Sequence, residues 1–185
     1  MATINAVGTG LTGASGTGNF VGNNSPTLIS PALGAATATS INFGGSTLST
    51  YTAFTTWTPA FTFATPGNLT VAYAGQTGYY TQIGDVVIAT FSLTYTPTYT
   101  TSSGAIHLTG LPVAANASIN FTGSMYASAP TFPAGTTNIV LFLPGGATYL
   151  EIIASGSATA DAAFTTTQSL TSVQTTFAGT IVYSV

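Results

Sequence analysis

Val87, Ala89, Phe91, Leu93 and Tyr95 take alternate places in a run whose intervening positions are Ile88, Thr90, Ser92 and Thr94. Successive side chains of a β-strand point to opposite faces, so this period of two describes a strand with one face in a core. Ile119, Phe121 and Met125 repeat the pattern, as do Phe177, Ile181, Tyr183 and Val185. The continuous apolar runs Ile139 to Leu143 and Tyr149 to Ile153 read as strands buried on both faces. Between these runs stand "TPGN", "GQTG", "TSSG", "FPAG" and "LPGG", which carry the Gly and Pro of turns. No window has helical periodicity, and the strong helix formers Glu, Lys, Arg and Gln are nearly missing. Short strands at regular spacing with such turns predict an all-β fold, an antiparallel β-sandwich of jelly-roll type over residues 51–185.

The first fifty residues differ. "GTGLTGASGTGNFVGNNSPTLISPALG" is built of Gly, Ser, Thr, Ala and Asn with single apolar residues between them. Such a segment buries too little apolar surface to offset its ordering entropy, so residues 1–50 are expected to be extended and to order against neighbouring chains. Gly8, Gly10 and Gly13 match the spacing of a dinucleotide fingerprint. That mechanism needs a helix after the third glycine and an acid about twenty residues on, and neither is present.

Charge narrows the function. Of 185 residues 2% are charged, with no Lys or Arg and a formal net charge of −3. Without cations the chain lacks the usual means of binding nucleic acid, docking on anionic lipid or gripping phosphate with an arginine fork. So low a net charge gives little colloidal repulsion, which predicts a subunit of an assembly. There is no cysteine, so neither disulfides nor thiolate metal sites exist. Met1 to Gly10 lacks the basic start and apolar run of a signal peptide, and no apolar run approaches the ~20 residues of a membrane-spanning helix.

Few residues can carry chemistry. Asp85, Glu151 and Asp161 are the only acids, and His107 is the only histidine. A pair of carboxylates could hydrolyse glycosides if held about 5–9.5 Å apart. The plainer expectations are Asp85 in a turn, Asp161 in a loop and Glu151 facing solvent. His107 lies on the strand face opposite Ile106 and Leu108, and three copies around a three-fold axis could offer three imidazoles to a metal. No cofactor is expected, and no nucleophile elbow supports a serine triad. The Asn-x-Ser/Thr sequons at Asn23, Asn68, Asn116 and Asn120 are expected by chance in so Ser/Thr-rich a chain. The aromatics say more. Tyr79, Tyr80, Tyr95, Tyr99 and Tyr126 flank turns or alternate outward, and tyrosine beside Ser, Thr and Asn suits either a sugar or a subunit interface.

A set of motifs adds to this reading. Trp57-Thr58-Pro59 opens a strand; Gln76, Gly78, Tyr80-Thr81 and Ile83-Gly84 lead into the long strand; Gly104, Leu108, Gly110, Leu111 and Pro112 close another. In that order and spacing the chain resembles the C-terminal domain of tailed-bacteriophage tail fibres, over most of Gly16 to Asn116 and more weakly up to Val185. The resemblance implies a trimeric β-sandwich head on a thin shaft, a virion appendage that often contacts host-surface glycans. Residues 1–50 would then attach to other virion proteins, and the short stretch before the head would make a short fibre. Where such domains usually carry acids and a glycine before the Trp this chain has Thr52 to Thr56, and where they carry a basic residue before Ile-Gly it has Gln82. Both departures remove charge. A capsid decoration protein that clamps its neighbours and binds no receptor is the alternative of another class.

Overall fold

The computed structural model describes residues 41–48, 50–128, 131–156 and 159–185. The chain divides into Met1–Ala38, which lies outside the described residues together with the glycine fingerprint and Asn23, and a compact unit, Thr39–Val185. In that unit Ile41–Phe43 (β1) and Ser46–Leu48 (β2) form a small hairpin across Gly44 and Gly45. Ten further strands make one sheet: β3 (Tyr51–Trp57), β4 (Ala60–Thr65), β5 (Thr70–Ile83), β6 (Val86–Thr98), β7 (Ser103–Thr109), β8 (Phe121–Ser128), β9 (Thr136–Leu143), β10 (Tyr149–Gly156), β11 (Thr159–Ala163) and β12 (Thr175–Ser184). Every pairing is antiparallel, and the described residues contain no helix. The fold is all-β.

The strand order is β3-β5-β6-β12-β8-β9-β10-β7-β4, with β11 added beside β10. Its two ends, β3 and β4, are consecutive in the chain and separated only by Thr58 and Pro59. A sheet whose ends are joined by two residues has to curl on itself, and this one does so around a single core. On β6 the alternation is strict: Val87, Ala89, Phe91, Leu93 and Tyr95 are buried. Phe61, Phe63, Ile106, Leu108, Leu141, Leu143, Leu150, Ile152, Phe177, Ile181 and Tyr183 meet them from the other strands, and Phe164 from the loop after β11. Full burial of one such side chain contributes roughly 1.5–3 kcal/mol.

The curl is held at one corner. Trp57, the last residue of β3, turns inward and its Nε1–H donates to the carbonyls of Tyr79 (3.2 Å) and Thr90 (3.1 Å). Gly78 pairs with Trp57, and a Cβ there would stand 2.7 Å from the indole, so only glycine fits. The Gln76 amide donates to the Pro59 carbonyl (2.9 Å), and the Phe61 N–H donates to the Tyr73 hydroxyl (2.9 Å). Side chains of β5 thus satisfy backbone groups of the segment that leads from β3 into β4. Gly110, at φ +92°, packs on the Thr58 carbonyl from the other side.

Two expectations are corrected. The runs 139–143 and 149–153 are buried on one face only: Leu141, Leu143, Leu150 and Ile152 are inside, while Val140, Phe142 and Ile153 are half-buried on a face over which the described residues place no second layer. Asp161 lies in a strand, β11, because the Ala-rich stretch around it pairs with the end of β10.

Candidate functional site

The register of β3, β5, β6, β12 and β8 fixes what the outer face displays, since opposite residues of an antiparallel pair share a face. Beside the β5–β6 turn lie two apolar rows. Tyr51 opposes Ile83, which opposes Val86; Thr81 opposes Ile88, which opposes Val182. Farther along, the rows become hydroxyl-rich: Thr56, Tyr79, Thr90, Thr180 and Ser124, then Thr77, Ser92, Ala178 and Tyr126. Phe54, carried out of register by a bulge in β3, stacks on Tyr79 with ring centroids 4.3 Å apart. Gly84, at φ +57°, makes the turn with Asp85, and the Gln82 amide donates to the Gly84 carbonyl (2.9 Å). Gln82 therefore braces the turn without charge.

The hydroxyl end holds a shallow groove of about 440 Å³ between β6, β12 and β8, lined by Thr90, Ser124, Met125, Tyr126, Ala178 and Thr180. Tyr126 is 62% exposed. Its ring beside four small side chains gives an apolar plate next to neutral hydrogen-bonding groups, with no charged residue in the lining.

The five candidate tyrosines separate. Tyr126 faces solvent on this surface. Tyr79 lies on the same surface, half-covered by Phe54. Tyr80 points inward and packs against the core, because it pairs with the buried Ala89. Tyr95 corrects the expectation that it alternates outward: it is on the inner face of β6, fully buried, with its hydroxyl 3.0 Å from Ser169 Oγ and its ring stacked on Phe61. Burial pushes its ionisation well above the ordinary tyrosine range, although the Ser169 bond acts the other way. Tyr99 donates its hydroxyl to the carbonyls of Ser169 (2.7 Å) and Thr166 (3.1 Å), and desolvation raises its pKa. Tyr95 and Tyr99 thus fasten the 164–174 loop over one end of the core. At the other end the Tyr183 hydroxyl donates to the Val113 carbonyl (3.0 Å), and burial pushes its pKa up to about 12.

The ionisable residues form one pair. His107 on β7 opposes Glu151 on β10, with Nε2 3.4 Å from Oε1, and the imidazole stacks on Tyr149 at 4.1 Å. Sequence reasoning missed this pair, which is visible only once β7 and β10 are known to be neighbours. Asp85 is in the β5–β6 turn, and Asp161 lies alongside the far end of β10, beyond Ala154, so neither is a cross-strand neighbour of Glu151. Among the described residues no three His, Cys, Asp or Glu gather as metal ligands. A metal held by His107 would have to draw on further copies of the chain.

Comparison with protein-family models, with characterised proteins and with solved structures finds no match to this chain.

Proposed function

We propose that the protein is a non-catalytic structural protein of a bacteriophage virion, a short trimeric tail fibre whose curled sheet serves as a sandwich-like head. Residues 1–50 attach it to other virion proteins. The head contacts neutral host-surface glycans through the hydroxyl-lined groove at Tyr126, and neither nucleic acid nor membrane insertion takes part.

One observation carries this reading. The motif residues that give the resemblance to tail-fibre domains meet at joints of the fold. Trp57 and Gly78 interlock, Gln76 bonds Pro59, Gly110 packs on Thr58, and Gly84 makes the turn. Leu108 and Leu111 are buried. Motifs scattered by chance through a Gly- and Thr-rich chain have no reason to converge on such joints. The chemistry of the groove agrees with a sugar, since an exposed ring stacks on a pyranose face while hydroxyls exchange neutral hydrogen bonds.

The test is immunogold electron microscopy on the phage particles whose genome encodes the chain. Label confined to the tail or baseplate, in a few copies, is the expected result. A regular array over the capsid would replace the fibre by the decoration protein, and absence from purified particles would overturn the virion assignment.

A further inference from the structure

Twelve large apolar residues are exposed among the described residues, and six of them stand on the outer face at the β5–β6 turn end. They are Tyr51, Phe54, Ile83, Val86, Ile88 and Val182, from 42% to 70% exposed. The register makes five of them contiguous across β3, β5, β6 and β12, and Phe54, in the β3 bulge, joins them beside Tyr79. Apolar patches on free monomers rarely exceed a few hundred Å², and six such side chains in adjoining rows reach that limit. Stable protein–protein contacts take about 800 Å² from each partner, so a contact centred on the apolar rows has to extend onto the neighbouring Thr90 row.

We infer that this face is where copies of the chain pack on one another, with the apolar rows at the centre and the hydroxyl rows at the rim. A second copy is favoured by charge and by the sheet edge. Asp85 is the only Asp, Glu, His, Lys or Arg beside these rows, so two copies meet with little like-charge opposition, and no cluster of charge selects a charged foreign partner. The border is also β3, which is hydrogen-bonded to β5 alone within the described sheet. Among the described residues no strand lies beside its outer edge, which carries no Pro or charged residue and is interrupted by the bulge between Thr52 and Thr55. The Thr90 row also lines the groove, so its far side, with Tyr126 in the next row, is the part that the contact leaves open. The inference rests on the self-association in the proposed function and not on the location of the protein in a particle.

The experiment is sedimentation equilibrium on the purified full-length chain, over a concentration series, with circular dichroism as the check on folding. The wild-type protein should sediment as three copies of the 18.5 kDa chain. Ile88→Glu places a carboxylate at the centre of the face and should weaken association on the order of 100-fold or more, with the β spectrum unchanged. Should Ile88→Glu fail to fold, the double variant Ile88→Thr/Val182→Thr keeps β-branched side chains on the strands and should still weaken association about tenfold or more. A monomeric wild type, or a folded variant with wild-type affinity, overturns the inference. Particle labelling is independent of this result: tail label with a monomer in solution would remove this face and leave the virion assignment in place.

Discussion

At the scale of single residues, glycine and tyrosine carry more of the argument than the aliphatic core. Gly78 is glycine because the Trp57 indole occupies the place of its side chain, 2.7 Å from an ideal Cβ. Gly78→Ala must displace either a buried ring or the β5 backbone, and overpacking of this kind costs about 1–3 kcal/mol. The expected result is a lower melting temperature by calorimetry, and an unchanged value would mean that Trp57 does not close the corner. Among the tyrosines, position relative to the turn was no guide to exposure. Tyr95 continues the alternation of Val87, Ala89, Phe91 and Leu93, so the period of two places it inside and not with the outward tyrosines, and Ser169 explains how its buried hydroxyl is satisfied. Ser169 is seventy-four residues away, and nothing local to either residue announces the other.

At the scale of elements, loops are tied to one another by side chains. Asn68, between β4 and β5, accepts hydrogen bonds through Oδ1 from the amides of Thr100 (2.9 Å) and Thr101 (3.0 Å) and the Thr101 hydroxyl (3.0 Å). Its Nδ2 donates to Thr100 Oγ1 (2.8 Å). Asn68→Ala leaves two backbone donors to water at an exposed site, so the expected cost is about 1 kcal/mol. The Thr100 and Thr101 amides should exchange faster with deuterium while those of β6 stay protected. Loss of protection along β6 as well would mean that the Asn68 bonds hold the strand and not just the turn. Strand existence was legible in the sequence because one-faced burial writes itself as alternation, most plainly in β6 and β12. Strand adjacency was not. The His107–Glu151 pair and the apolar rows across β3, β5, β6 and β12 depend on which strands are neighbours, and composition is silent on that. The runs 139–143 and 149–153 misled for a related reason. A half-covered outer face tolerates Val140, Phe142 and Ile153, so apolar continuity did not require burial on both sides.

At the scale of the whole molecule, a chain with three acids, one histidine and no Lys or Arg has few ion pairs to lose, and its pH response shifts to the tyrosines. Burial raises the pKa of Tyr95, Tyr99 and Tyr183, the last to about 12, against about 10 for an exposed phenol. A folded-state pKa above the unfolded value means that the unfolded chain releases its proton first. The stability linked to these groups is therefore complete below about pH 10 and is lost as pH rises toward the folded values. Urea midpoints measured with rising pH should begin to fall near pH 10 and continue to fall to about pH 12. Tyr183→Phe provides the control. It gives up the bond to the Val113 carbonyl, at about 1 kcal/mol near neutrality. It also removes one ionising group, so its stability should fall less steeply with pH between 10 and 12, by up to about 1.4 kcal/mol per pH unit. Equal slopes for the two proteins would show that Tyr183 ionises as freely in the fold as outside it, and that the loop carrying Val113 does not seal that end of the core.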